Sequence, residues 1–539
     1  MADEIRRTTS GIELKPIYGY GDIPEGHREL LSTSPGEPPY LRGAYPKMYR
    51  TKPWRIFQLS GFGNPIDESE RIKFLLSHGE SGFLMEHDRM TADHLYDVDN
   101  PEVLARSGDV GLTGAVILSI RDFATILDGI DIENTYAHAG GAVVQHGPFA
   151  NACYWNVAAS RGIDLKRLAG TGQSDFNLTY LGCIAKEQIP PRDGLRLNLD
   201  LIEFCHRNLP RWVPVSIAAY NGADSGLNAK EELGLLMANA KEYLDGIVER
   251  GNIEVAQVAR SIGGINLRTS MDIFEDIAKL RAARVMWSRM LKERYGVDDE
   301  RARQLRIHVV TAGSAMTYQQ PLNNIVRGTL MALAAVLGGA QSLGVSGYDE
   351  AITIPSEHAH QMSLRIQQIL QNESNLTSVV DPLGGSYLIE SLTGQLVEEG
   401  FGVFDEIVAQ GGYIATLESG WLYRRAVAGS NEAAYDIETN RVAKVGVNCF
   451  MDDVSPYEIE AFEAPRDAFD NAMERLVDLR ATRDQKVLRD ALVGLEEACV
   501  SSSNIMPAMM AATEAEVSLG EIGSVFRSSF GSWEVPFDF

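Results

Sequence analysis

Hydrophobic positions recur along this chain with two periods that alternate. From about residue 50 to 400, short β-branched or apolar runs give way to stretches whose apolar residues repeat at helical spacing. Ala115–Ile120, Val213–Ala219 and Arg306–Thr311 read as strands. Asp122–Leu127, Lys230–Leu244, Ile273–Glu293 and Asn324–Leu337 read as amphipathic helices. Strand and helix alternating over so long a stretch predict an α/β domain with parallel strands. The length of the stretch and the absence of a G-x-G-x-x-G turn favour a (β/α)8 TIM barrel over a doubly wound sheet. Chemistry then belongs at the C-terminal strand ends. Tyr220-Asn221-Gly222 follows one strand candidate and Thr311-Ala312-Gly313 ends another.

The flanks differ from this middle. Residues 1–38 are polar and Pro-rich and read as an N-terminal arm. The barrel is expected over 39–400. Residues 401–539 are expected to form a mainly helical C-terminal extension, with helix over Asp405–Ser430 and Asp467–Val500 and an extended piece over Arg441–Phe450.

Composition narrows the class without naming the chemistry. Of the 539 residues, 45% are hydrophobic and 23% charged, as in ordinary globular proteins. A net charge of −25 argues against nucleic acid or a membrane surface as partner. The five cysteines have no C-x-x-C spacing and read as reduced structural thiols. The chain opens without a secretory signal pattern, and its longest apolar run, near Leu330 to Ala340, is too short and Gly-rich to span a bilayer. A cytoplasmic enzyme is the expectation.

Against this acidic background one segment stands out. Arg42 to Gly63 packs five cations, five aromatic rings, three glycines and two prolines into 22 residues. Cations among rings suit a long anionic ligand with a flat base and phosphates. A structured loop with core rings and solvated cationic heads satisfies the same composition. There is no P-loop, nucleophile elbow or convincing metal spacing; Glu357, His358 and His360 read as a surface group.

The residues from Pro39 to Phe62, Pro-x-x-Arg-Gly-x-Tyr-x-x-Met-Tyr-x-x-Lys-Pro-Trp-x-Ile-x-Gln-x-x-Gly-Phe, resemble the opening signature of the coenzyme B12-dependent acyl-CoA mutases. The likeness continues through Tyr96-Asp97-x-Asp99-Asn100-Pro101, Leu168-Ala169-Gly170-Thr171-x-Gln173, Leu280-Arg281-Ala282-Ala283-Arg284, Asp349-Glu350-Ala351 and Asp381-Pro382-Leu383-Gly384-Gly385-Ser386. It covers about residues 38 to 539.

The resemblance implies a barrel with an acyl-CoA threaded down its axis and radical migration of the thioester group to a neighbouring carbon. Tyr45, Met48, Lys52 and Arg55 align with CoA contacts, as do Arg301 and His308, while Phe57 stands where relatives often have Arg. Glu350 aligns with the residue that holds the adenosyl ribose of adenosylcobalamin. Thr171 and Gln173 belong to the substrate wall. Relatives bind cobalamin through a D-x-H-x-x-G motif that is absent here. The resemblance therefore implies a large subunit with no cobalamin-binding domain of its own. It would need a small cobalamin-binding subunit, in a heterotetramer of two large and two small chains, with a G-protein chaperone as a further partner.

Departures from the pattern bear on the substrate. Methylmalonyl-specific relatives place Tyr at Leu59 and a carboxylate-pairing Arg near Ile184. A buried carboxylate without that Arg would cost several kcal/mol. The 2-hydroxyisobutyryl-CoA branch resembles this chain in its aliphatic residue at Leu59, paired with an acid that aligns with Glu86; a shift of one puts His87 there instead. Tyr220 is kept, but Asn221 replaces the His that meets the thioester carbonyl. The resulting expectation is rearrangement of a branched 2-hydroxyacyl-CoA to a linear 3-hydroxyacyl-CoA, with Tyr220, Asn221 and Glu86 catalytic. An isobutyryl-CoA-type mutase and a non-catalytic CoA- or partner-binding homologue are the alternatives.

Overall fold

The computed structural model describes residues 6–182, 188–451, 459, 462–463 and 465–536. Ile184 lies outside them. Arg306–Thr311 forms a strand over the expected six residues. Ile307, Val309 and Thr311 are buried on one face, while Arg306, His308 and Val310 alternate onto the other. That second face is not outer surface but the wall of an internal channel.

All the strands around the channel pair in parallel and fall into two five-stranded sheets. One has the order Arg55–Ile56, Ser342–Gly344, Arg306–Thr311, Gly264–Thr269, Ile217–Ala218. The other has the order Leu59–Ser60, Gly82–Met85, Tyr136–His138, Gly170–Thr171, Trp212–Val213. Residues 55–60 supply an edge strand to each sheet, and residues 212–218 do so on the opposite side. Helices follow the strands in turn, among them Pro65–Ser77, Gly147–Ser160, Pro191–Asn208, Ala229–Arg250, Ile273–Tyr295, Asn323–Leu337 and Glu357–Asn372. This is the strand–helix alternation expected from the pattern.

Four elements differ from the sequence expectation. Ala115–Ile120 is not a strand: Ala115 makes one bridge to His87, and Ser119 already caps the helix Ile120–Ile126 by accepting from the Arg121 amide. Val213–Ala219 divides into two strands around Pro214, which has no N–H for a ladder. The helical region over Asp405–Ser430 divides into Tyr387–Ala409, Tyr413–Glu418 and Trp421–Glu438. The breaks come at Gly412 and Gly420, whose φ values of 100° and 72° suit glycine. Within Arg441–Phe450 the extended pairing among the described residues is a single bridge between Val445 and Cys449.

The N-terminal segment is fastened to helices that flank the sheets. Thr9 donates its amide to Asp272, and Ser10 accepts from the amide of Ala229. His27 meets Glu390 at 2.8 Å, and Glu390 also binds Arg281 at 2.6 Å. Arg281 pairs in turn with Asp381, which receives Arg42 at 2.9 Å. Arg284, one turn on, donates to the carbonyls of Tyr40, Leu41 and Gly338. The two arginines of the Leu280–Arg284 motif thus hold the segment that precedes the basic, aromatic run. Toward the other end, Gln485–Val500 packs on both Met506–Glu514 and Leu519–Phe530, and Met506–Glu514 packs on Gly147–Ser160. Among the described residues no helix is long and apolar enough to cross a membrane.

Candidate active site

A cavity of about 940 Å³ runs between the two sheets. Its lining includes residues at strand N-termini, such as Gly264 and Arg306, and residues beyond strand C-termini, such as Gln173, Tyr220 and Glu350. It therefore extends along the strand direction from one end of the sheets to the other.

The N-terminal mouth is cationic and aromatic. Lys47, Lys52, Arg55, Arg211 and Arg306 line it together with Tyr45, Trp54 and Tyr136. Arg55 lies over the Tyr136 ring, 4.6 Å from its centroid. In an acidic protein, this concentration of positive charge suits phosphates. The middle is narrower in chemistry: Phe57, Leu59, Leu84 and Val310 are apolar, and His308, Asn266 and Ser342 are polar. His308 Nδ1 meets Ser342 Oγ at 2.9 Å, and burial lowers the imidazole to about 4, so the ring is neutral.

Toward the C-terminal end, Thr171, Gln173 and His138 face the cavity. Thr171 Oγ1 accepts the Gln173 amide at 3.0 Å. Tyr220 begins the short helix after Ile217–Ala218 and also faces the cavity. Glu350 closes this end. It is open to the channel, with protein on its other sides, and that burial, with Asp349 and Asp224 nearby, raises its carboxyl to about 7. It accepts no hydrogen bond from a described side chain. A Cβ on Gly313 would come within 3.3 Å of its Oε1, so glycine keeps that side open. A carboxylate acceptor left unpaired at a channel end fits the two hydroxyls of a ribose.

The channel thus brings together Tyr45, Met48, Lys52, Arg55, Leu59, Thr171, Gln173, Tyr220, His308 and Glu350. Four other site candidates lie elsewhere. Glu86 directly follows the strand Gly82–Met85, two residues after Leu84, and does not line the channel; its carboxyl has no partner among the described residues, and burial raises it to about 8. Arg89 pairs instead with Asp93. His87 turns behind the strand into a buried chain of imidazoles, at 2.7 Å from His146, which is 3.1 Å from His94. Asn221 is buried beside Gly182, off the channel wall, and its Oδ1 has no partner among the described residues. Arg301 is exposed in a turn.

Sequence reading missed Arg211, Arg306, Tyr136 and His138, which become neighbours only when the sheets assemble. It also placed His360 on the surface. His358 is exposed, but His360 is buried and faces the channel, with Nδ1 accepting from Arg71 and Nε2 donating to the Leu59 carbonyl.

Parallel sheets around a channel with a cationic mouth and a carboxylate at its far end define an α/β protein whose channel suits a long anionic ligand. The family model described as methylmalonyl-CoA mutase matches residues 7–532. A 2-hydroxyisobutanoyl-CoA mutase large subunit from Aquincola tertiaricarbonis is 33% identical over 98% of this chain and 93% of its own length. The methylmalonyl-CoA mutase of Escherichia coli K12 is 33% identical over 99% of this chain and 73% of its own length. A methylmalonyl-CoA mutase large subunit from Porphyromonas gingivalis is 31% identical over 98% of this chain and 72% of its own length. The chain belongs to the methylmalonyl-CoA mutase family, and so to the cobalamin-dependent acyl-CoA mutases, which are isomerases.

Proposed function

We propose that this chain is the large, substrate-binding subunit of an adenosylcobalamin-dependent mutase acting on a branched 2-hydroxyacyl-CoA, with the 2-hydroxyisobutyryl/3-hydroxybutyryl pair as the nearest concrete case. The observation that carries the reading is the channel itself, cationic at one end and apolar at Leu59 and Leu84. The two sheets then close as a (β/α)8 barrel, a reading supported by the segments 55–60 and 212–218 that serve both sheets. Lys52, Arg55, Arg211 and Arg306 hold the CoA phosphates and nucleotide. Leu59, Leu84 and Phe57 shape the acyl pocket, and Glu86, two residues after Leu84, receives a substrate hydroxyl. Selection through such a buried hydrogen bond is strong, because an analogue without the hydroxyl leaves the acceptor unpaired.

Glu350 would hold the ribose of the adenosyl group, which supplies the radical chemistry when bound. The chain's own residues orient the acyl group and keep water from it. The cobalamin itself comes on a small partner subunit; the near-complete overlap with a relative named as a large subunit supports this division.

The channel wall ends at Leu84 rather than Glu86, which favours a second reading, an isobutyryl-CoA-type mutase with a purely apolar pocket. One experiment separates the two. The chain is mixed with its cobalamin-binding subunit and adenosylcobalamin, offered a panel of acyl-CoAs, and the products are read by mass spectrometry. Conversion of 2-hydroxyisobutyryl-CoA supports the first reading, and conversion of isobutyryl-CoA alone supports the second. Conversion of methylmalonyl-CoA in preference to either defeats both.

A further inference from the structure

Gln173 combines three constraints that a wall residue does not need. Its φ is 63°, a left-handed value unusual for a residue with a side chain. Its backbone is held on both sides, the amide by Thr171 Oγ1 at 3.0 Å and the carbonyl by the Ser216 amide at 2.8 Å. The residue is only 7% exposed, yet its Nε2 has no hydrogen-bond partner among the described residues. An unpaired buried amide is costly unless a ligand completes it.

The other half of that side chain is fixed by His138. His138 lies at the end of Tyr136–His138 and also faces the channel. The Gly140 amide donates to its Nδ1 at 3.2 Å. Nδ1 is therefore the lone-pair nitrogen and Nε2 carries the hydrogen. That hydrogen reaches Gln173 Oε1 at 3.0 Å. With Oε1 committed to His138, the Gln173 NH2 has only the channel to face. Burial lowers the His138 imidazole to about 4, which keeps this single tautomer uncharged.

We propose that His138 is a positioning residue that fixes the Gln173 amide as the donor to the substrate's thioester carbonyl. This rests on the acyl-CoA reading above. It also accounts for Asn221 being off the wall: the donor comes from the neighbouring side of the channel. A neutral amide held by a neutral imidazole completes a neutral acceptor such as a thioester oxygen.

The test compares two ligands by titration calorimetry on the whole chain: isobutyryl-CoA, and the thioether S-isobutyl-CoA, in which CH2 replaces the carbonyl. The wild type should bind the thioester about 10-fold more tightly, the worth of one well-placed hydrogen bond. His138→Phe should bring the ratio close to one while leaving the affinity for free CoA unchanged. His138→Gln, which can still donate to Oε1, should restore much of it. If His138→Phe does not fold, His138→Ala makes the same comparison. An unchanged ratio in the His138 variants, or a wild-type ratio near one, overturns the proposal. Failure of the wild type to bind either ligand overturns the acyl-CoA reading beneath it.

Discussion

His360 donates its Nε2 hydrogen to the main-chain carbonyl of Leu59 at 3.1 Å, while its Nδ1 accepts from Arg71 at 3.0 Å. Arg71 also donates to the Pro355 carbonyl and lies over the Phe62 ring. The helix Glu357–Asn372 is thereby tied to the strand Leu59–Ser60, at the residue that shapes the middle of the channel. Replacing His360 with Leu leaves the Leu59 carbonyl and Arg71 without that partner. We expect a loss of about 1–3 kcal/mol in urea unfolding and a looser choice among acyl-CoAs in competition binding.

The same residue gives a pH signature. Burial, with Arg71 adding to it, lowers the His360 imidazole to about 3 from its ordinary 6.5. The unfolded chain therefore takes up this proton first as pH falls. Stability owed to the neutral ring is whole above pH 6.5 and declines toward pH 3. The acid limb of the unfolding free energy should be shallower in His360→Leu than in the wild type. Parallel limbs would contradict the assignment.

Leu59 is 54% exposed, and that exposure is to the channel. Its register partner Leu84 faces the same space. Leu59→Phe should weaken binding of a branched acyl-CoA by about 10-fold, since a pocket distinguishes single methylenes by roughly 1–3 kcal/mol. Free CoA should bind as before. Calorimetric titration with the two ligands checks this.

At the mouth, Arg306→Ala or Arg211→Ala should reduce CoA affinity and flatten its salt dependence, because each removes a cation from the channel lining. Arg301→Ala should change neither, because Arg301 is off the channel and exposed. Titrations at two ionic strengths make the comparison.

Stability away from the channel depends on the buried network around Arg281. Burial alone would raise the Glu390 carboxyl, but the His27 hydrogen bond and the Arg281 charge outweigh it and hold it down to about 2. Arg281→Met leaves Glu390 with only His27 and Asp381 with only Arg42 as partners for two buried acids. We expect about 3–5 kcal/mol of destabilisation by chemical unfolding. Early proteolysis of the arm, which His27 and Arg42 join to this network, should accompany it.

The strand–helix alternation was legible because each strand buries one face fully, as in Arg306–Thr311. What periodicity could not reveal is that the opposite, half-polar face lines an interior channel rather than the outer surface; Arg306, His308 and Val310 look like a solvated edge until the sheets are assembled. The basic, aromatic run was legible for the same reason that it stands out in an acidic chain. His138 and His360 were not, since their roles depend on Gly140, Gln173, Arg71 and Leu59, which are distant from them in sequence or unremarkable in type. Ala115–Ile120 misled because an apolar, β-branched run packs equally well as a buried connection.

The most direct measurement is a crystal structure of the chain with a bound acyl-CoA. Nucleotide density is expected at Lys52, Arg211 and Arg306, with a pantetheine arm running along the channel and the acyl group beside Leu59 and Gln173. CoA bound on the outer surface, with the channel empty, would contradict this placement.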